Sequence, residues 1–570
     1  MEKWFLTMKK ADFQAIADRF HISPITARLI RNRDVTEEKE IDHYLNGTVA
    51  DLLDGMLMKD MDKAAEILQE KIRENSRIRV IGDYDIDGVN ATYILKEGLN
   101  GLGADVDTDI PDRIRDGYGL NRLLVERAWE DGIDTIITCD NGIAAAEEIA
   151  YGKELGMTVI VTDHHEVPFS EENGERVYQL PPADAVVDPK RADCPYPFKG
   201  LCGAAVAYKL MEVLYDISGN DSEDIDFLME NVAIATVGDV MDLIGENRIF
   251  VKQGLEMLQR TQNPGLKALI ECTGISQGPI SAYHIGFVLG PCINASGRLN
   301  TAKKALALLE TKDWPEAVVL AKELKDLNDS RKEMTEKSVK QALELVETDH
   351  YKEERILVLY LSECHESIAG IVAGRVREAC HKPTLVLTDA EDGIKGSGRS
   401  VEAYDMFAEM SACKELFTKF GGHKMAVGVS MPRQNLEIFR KKINALCTLQ
   451  EEDLAEKVKI DMLLPFPYIT EALVKETELL QPFGKGNPRP LFAEKNLKIL
   501  HPQVLGRHRN VLKFQVENPD GVRMDAVYFG DAVRFLACTQ MQESFSLVFY
   551  PGIHEYMGRR SLQLTVTNYQ

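Results

Sequence analysis

The chain has 570 residues, 44% hydrophobic and 28% charged, with a formal net charge of −24. That length exceeds a single hydrophobic core, so three or four domains are expected, and the acidity argues against a generally cationic nucleic-acid binder while leaving room for a local basic groove. No apolar run reaches the ~20 residues of a membrane span, the N-terminal MEKWFLTMKKADF lacks the apolar core of a signal peptide, and the ten cysteines form no CxxC pair; a cytoplasmic protein in a reducing compartment, without a zinc ribbon, is expected.

In chain order, residues 1–70 read as a helical region, with helical spacing in ADFQAIADRF and SPITARLIRNR and an apolar stripe in DMDKAAEILQEKIREN. Residues 71–300 alternate strand and helix. The strands RIRVIG, ADVDTDI, DTIITC, MTVIVT and ADAVVD predict a parallel α/β sheet with ligands at the carboxyl ends of its strands. Residues 301–348 carry no strand signal, and Trp314 to Val346 reads as one long connecting helix. Residues 349–450 form a second α/β unit, ILVLYL, IAGIVAGRVREAC and PTLVLTD, followed by the Gly-rich GIKGSGRS and FGGHKMAVG. Residues 451–570 turn all-β, and the strands KVKIDMLL, NVLKFQVEN, VRMDAVYFG, SFSLVFYPG and SLQLTVTN predict a small OB-like barrel.

The chemistry concentrates at strand ends. RIRVIGDYDIDG finishes in Asp83, Asp85 and Asp87 at alternate positions, IDTIITCDNG delivers Asp140, and MTVIVTDHHE delivers Asp163, His164 and His165. Buried carboxylates are costly without positive charge beside them, and a divalent cation is the simplest source. The first cluster matches half of an EF-hand loop, but the twelfth position is Ile94 and a strand, not a helix, precedes it. Asp140 taken alone could be an Asn-Gly turn. Adjacent His164 and His165 point in different directions, so one can ligate metal while the other meets substrate. Asp239, in IATVGDVMDL, supplies a further carboxylate, with Asp242 as an outside candidate. An Asp/His set without cysteine suits Mn²⁺ or Mg²⁺ better than zinc. A carboxylate such as Asp140 can bridge two ions about 3.5–4 Å apart, and such a pair activates water and stabilises the charge developing on a phosphoryl group. No P-loop or nucleophile elbow competes with this reading.

DYDIDG, CDNG, DHHE and GDVMD, in that order, resemble the DHH phosphoesterase superfamily, and FGGHKMAVG resembles its associated DHHA1 domain. SPITARLIRNR, IPDRIRDGYGL, GPCINASGRLN, GSGRS and QPFGKGNPRPLF extend the likeness over essentially the whole chain to the RecJ family of bacterial single-stranded-DNA-specific exonucleases. The resemblance implies an α/β fold: a DHH parallel-sheet domain, a long connecting helix, a DHHA1 α/β domain and a C-terminal OB-like β-barrel. It implies hydrolysis of single-stranded DNA from the 5′ end, processively and with release of mononucleotides, in recombination and repair. Its implied ligands for two Mn²⁺ or Mg²⁺ ions are Asp85, Asp87, Asp140, His164 and Asp239. Its implied catalytic set is His165, placed against the scissile phosphate, with Asp163 and Asp83, the last orienting ligands from behind. Arg113, Arg298, Ser397 and Arg399 match positions that grip the 5′ end, and His423 one that faces the active site. The implied partners are single-stranded DNA, a single-stranded-DNA-binding protein and a RecQ-type helicase, with no membrane, for a monomeric enzyme. The two α/β lobes are expected to form a ring that admits single strands and excludes duplex.

One segment departs from the family pattern: residues 364–371 read CHESIAGI where the family form is closer to WHPGVIGI. His365 is kept; the Trp and Pro-Gly are not. The change is expected to affect how the strand end is gripped and to leave the metal ligands untouched. In the barrel, Arg507, His508, Arg509, Lys513 and Arg523 near Phe514, Tyr528 and Phe529 suit a groove that stacks single-stranded bases, against the alternative that these aromatics are core. All proposed ligands precede residue 240, so the barrel is expected to be separable from the metal site. Two rival functions are a DHH phosphodiesterase acting on oligoribonucleotides or cyclic dinucleotides, and a non-catalytic RecJ-like scaffold. The barrel and the GRLN and FGKGNPRP motifs argue against the first, and the full set of acids against the second.

Overall fold

The structure, a computed structural model, describes residues 2–113, 116, 117, 119–172, 175–275, 278–348, 351, 353–506, 508–540, 543–556 and 558–570. The chain opens with a strand, β1 (Lys3–Leu6), before the helices Phe13–Phe20, Pro24–Asn32, Glu38–Asn46 and Met61–Arg73.

All five strands expected in the catalytic region form and lie parallel. They are β2 (Arg77–Ile81), β3 (Asp105–Asp109), β4 (Thr135–Cys139), β5 (Thr158–Thr162) and, after the hairpin β6 (Phe169–Glu172) and β7 (Glu175–Tyr178), β8 (Ala185–Val187). Their order is β3-β2-β4-β5-β8. The central strands are apolar on both faces because both faces are covered. Helices Ile86–Gly101, Gly203–Ile217 and Met229–Gly238 share one core with Ile78, Val80, Ile137 and Ile160. Helices Arg122–Glu130 and Ala146–Glu154 share the opposite core with Ile81, Ile136, Val159 and Val161.

The connecting helix runs Trp314–Val346, 33 residues capped by Asp313, whose side chain accepts from Glu316 N, with proline in its first turn. Its Ala317, Ala321 and Leu324 belong to the catalytic core, and its Ala342 to the core of the following domain, so one rigid element spans both lobes. That second domain is the sheet β12-β13-β11-β10-β9, from β9 (Leu357–Tyr360), β10 (Thr384–Ala390), β11 (Gly393–Arg399), β12 (Lys419–His423) and β13 (Ala426–Met431).

The barrel closes, but with a different first strand from the one expected. KVKIDMLL gives β14 (Lys457–Ile460), which pairs in parallel with β1, and the short β15 (Met462–Leu463). The closed ring is β16 (Phe492–Leu505), β17 (Val511–Glu517), β18 (Arg523–Phe529), β20 (Arg559–Tyr569) and β19 (Phe545–Tyr556), with β19 returning to β16 and the helix Ala532–Gln540 between β18 and β19. Its apolar interior continues into the N-terminal helices: Leu29, Ile30, Ile41 and Tyr44 share one core with Phe492, Leu512, Phe514 and Phe549. Phe514 is thus core, whereas Phe529 is 65% exposed and Lys513 and Arg509 lie on the surface. Arg523 is engaged by Glu517 at 2.6 Å; Arg507 lies outside the described residues.

Candidate active site

The carboxyl ends of β2, β4 and β5 are adjacent in the sheet, so the acids that follow them converge. Asp85 serves as the N-cap of helix Ile86–Gly101, its Oδ1 accepting from Asp87 N at 3.0 Å and Gly88 N at 3.1 Å. That cap turns Asp87 inward, where its oxygens accept from Gly203 N at 2.7 Å and Ala204 N at 2.8 Å, the first amides of helix Gly203–Ile217. A helix N-terminus thus stabilises one carboxylate of the cluster. Gly203 has no alternative there, since a Cβ would lie 2.7 Å from Asp140 Cβ. Asp140 sits at φ +59, and the side-chain amide of the following Asn141 donates to Ile81 O and Cys139 O, tying β4 to β2.

Three overlapping groups of ligand atoms result. Asp83, Asp85 and Asp140 form one; Asp87, His164 and Asp239 form another, and Asp140 also groups with His164 and His165, each with its atoms within 4.8 Å of one another. His164 Nε2 lies 3.0 Å from Asp140, 3.4 Å from Asp87 and 3.8 Å from Asp239. His164 is buried, yet neither ring nitrogen has a hydrogen-bond partner, and Asp83 Oδ2 is likewise unsatisfied. A buried imidazole turned toward three carboxylates without an aligned hydrogen bond can join them around a cation. The electrostatics agree. Burial and the neighbouring Asp85 push Asp83 up to about 8, burial and Asp87 push Asp239 up to about 8, and burial and Asp87 hold Asp140 well above the ordinary range. Such a cluster ionises together only when positive charge enters it.

Asp163 and His165 form a separate device. Asp163 accepts from the backbone of Ile143, His164 and His165 and lies 2.7 Å from His165 Nδ1. Burial alone would lower the His165 pKa, but the Asp163 contact outweighs it and lifts the imidazole to about 9. Asp163 therefore orients His165. Asp242, the outside candidate, instead faces Lys485 at 3.5 Å.

The second cluster is cationic. Arg113 stacks over Tyr84 at 4.9 Å, and Arg298 Nη1 donates to Ser367 O at 2.9 Å. Ser397 and Arg399 lie on β11, with Arg399 against Gly370 at the start of helix Ala369–Cys380. Burial, then Arg113 and Arg331, lowers Arg298 to about 10, and burial, then Arg377, lowers Arg399. Half-buried guanidiniums lowered by burial and by neighbouring arginines can receive an anion. His423 stands apart: it is exposed at the end of β12, its Nδ1 accepting from Met425 N of its own hairpin. Two residues escaped the sequence reading. Asp188 follows β8 as the other acids follow their strands, and burial and Asp163 push it up to about 8; ADAVVD carried that signal. Arg331, buried on the connecting helix, is invisible in a run of charged helix formers.

Family models match three parts of the chain: the DHH family N-terminal domain over residues 77–236, the DHHA1 domain over 353–449 and the RecJ OB domain over 460–568. The single-stranded-DNA-specific exonuclease RecJ of Bacillus subtilis is 34% identical over 563 residues, covering 97% of this chain and 69% of its own. The chain belongs to the RecJ family. Among solved structures, RecJ of Thermus thermophilus in complex with Mn²⁺ superposes with a TM-score of 0.83 at 29% identity, covering 100% of this chain and 79% of that one. The Mg²⁺ complex of RecJ from the same organism gives a TM-score of 0.79 at 27% identity, covering 100% and 78%. The RecJ-family assignment accounts for the three matched domains on one chain. Among the described residues no helix is long and apolar enough to cross a membrane.

Proposed function

We propose that this RecJ-family chain is a metal-dependent exonuclease that hydrolyses single-stranded DNA from the 5′ end to mononucleotides, in recombination and repair. The observation that carries the reading is the position of Asp140, which groups with Asp83 and Asp85 on one side and with His164 and His165 on the other, 3.0 Å from His164 Nε2. In this reading Asp85 and Asp140, with Asp83 beside them, hold one Mn²⁺ or Mg²⁺ ion, and Asp87, Asp140, His164 and Asp239 the other. When bound, the two ions supply water activation and neutralise charge at the phosphorus. The rest falls to the protein. The amides of Gly203 and Ala204 fix the Asp87 carboxylate. Asp163 holds His165 Nδ1, which directs Nε2 at the scissile phosphate, where a protonated imidazole donates to a non-bridging oxygen. Arg113, Arg298, Ser397 and Arg399 take the 5′ end, since guanidinium forks match phosphate geometry. His423 joins them from its hairpin tip once a strand lies in the cleft. The barrel holds the strand on its 3′ side and feeds it in, and the enzyme works as a cytoplasmic monomer supplied with single strands by a RecQ-type helicase and a single-stranded-DNA-binding protein.

The test is the product ladder from one oligonucleotide labelled at either end, with Mn²⁺. Immediate release of labelled mononucleotide from the 5′-labelled strand, with stepwise shortening of the 3′-labelled one, is expected. The reverse pattern would refute the polarity, and an oligonucleotide left intact while a labelled dinucleotide is cleaved in parallel would favour a small-substrate phosphodiesterase.

A further inference from the structure

Arg113 of the arginine cluster lines a cavity of about 410 Å³ between the turn at 366–368 and strands β11 to β13. Arg113 and Ser397 line both, so the cavity continues the site proposed above for the 5′ end. Its remaining charged lining groups are Lys395, Lys419 and Glu366, and among the described residues Glu366 is the only carboxylate there. Glu366 Oε2 forms an ion pair with Lys395 Nζ, the two side chains 25% and 39% exposed. Lys419 has no carboxylate partner among the described residues, and burial followed by the Lys419 charge lowers the Lys395 pKa.

An anion-binding cavity with its own carboxylate works against itself. Glu366 cancels one of the cavity's cations and turns a negative charge toward an incoming phosphate. We propose that Glu366 is a specificity-determining residue of the end pocket: by holding Lys395 it disfavours a doubly charged 5′-terminal phosphate relative to a 5′-hydroxyl. The inference rests on the reading of Arg113, Arg298 and Arg399 as end-binding residues. The pair is partly solvated and therefore exchangeable, so the discrimination is graded. Its sign is fixed by electrostatics. Without the carboxylate, Lys395 adds to the arginine cluster. Without the lysine, Glu366 stands uncompensated and repels the phosphate more strongly. Without both, the cavity returns close to its starting balance.

The experiment measures kcat/KM of the full-length protein with Mn²⁺ on one single-stranded oligonucleotide bearing a 5′-phosphate or a 5′-hydroxyl. Glu366→Gln should raise the phosphate-to-hydroxyl ratio by about fivefold or more, through KM and not kcat, Lys395→Ala should lower it, and the double variant should fall within about twofold of wild type. Glu366→Ala repeats the first arm should the glutamine variant melt early. Arg298→Ala and Arg399→Ala are the control for the pocket itself. If they shift the ratio and both Glu366 variants leave it unchanged, the role of Glu366 is refuted and the end pocket stands. If neither arginine variant shifts it, the pocket reading falls and this inference with it.

Discussion

At Gly203 a hydrogen in place of a methyl group lets a helix N-terminus touch two candidate ligands at once. Gly203→Ala should force Asp140 and Asp87 apart, costing about 1–3 kcal/mol of stability and weakening Mn²⁺ binding; a thermal melt and a calorimetric Mn²⁺ titration read the two effects separately. The residue looks ordinary in sequence because its reason is a neighbour 63 positions away, Asp140 Cβ at 2.7 Å from the absent Cβ. The acids themselves were legible, because a carboxylate after a buried apolar strand is anomalous wherever it stands. A second residue makes a pH prediction away from the site. Glu230 is 5% exposed, its main polar partner Thr261, and burial pushes it up to about 7 from 4.5. The unfolded chain loses this proton near 4.5 and the folded protein only near 7, so this group costs nothing below 4.5. Its penalty grows as pH rises through the window and is complete above about 7, at most about 3 kcal/mol. Glu230→Gln should therefore stabilise the protein at pH 8 and bring no gain at pH 4.5, by denaturant melts at the two values.

The element that sequence reading placed least well is the loop Gly484–Asn487 in QPFGKGNPRPLF. It braces the segment that follows Asp239. Lys485 O accepts from Leu243 N at 2.8 Å, Lys485 Nζ faces Asp242 at 3.5 Å, and Gly486, at φ +74, lies where a Cβ would be 2.9 Å from Asp242 Cβ. Val240 in that segment holds φ +57, a conformation a β-branched residue keeps only when its surroundings enforce it. Asn487 anchors the brace, donating to Leu480 O and Pro482 O and accepting from Tyr44 and Arg33. Asn487→Ala leaves those buried groups unmatched and should cost roughly 3 kcal/mol, seen as a lower melting midpoint; an unchanged midpoint would show that the loop bears no strain. Strands with clean apolar runs, such as β4 and β5, were legible. The 14-residue β16 was not, because FAEKNLKILHPQVL mixes charge and proline and its register shifts against both neighbours. β1 was missed because its partner, β14, lies some 450 residues away and no local pattern announces it.

For the whole molecule, the domain order was legible but the joining of chain ends was not. The N-terminal helices and the barrel share one core, and the barrel's loop reaches the segment bearing Asp239. The expectation that the barrel can be removed without touching the metal site therefore needs revising. A chain ending at residue 454 uncovers Leu29, Ile30 and Ile41 and loses the brace, so it should bind a hydrophobic dye, aggregate and take up Mn²⁺ more weakly than the full chain. A monodisperse truncation with unchanged Mn²⁺ affinity would restore the separable barrel. If two cations share one carboxylate, Asp140 is the residue the enzyme can least lose. Turnover of Asp140→Ala should be measured on 5′-labelled single-stranded DNA at saturating Mn²⁺, with the melt of the same sample as the check on folding. A folded protein whose rate falls by at least about a thousandfold is expected, the loss of several kcal/mol of transition-state stabilisation. A rate within about tenfold of the parent would contradict it.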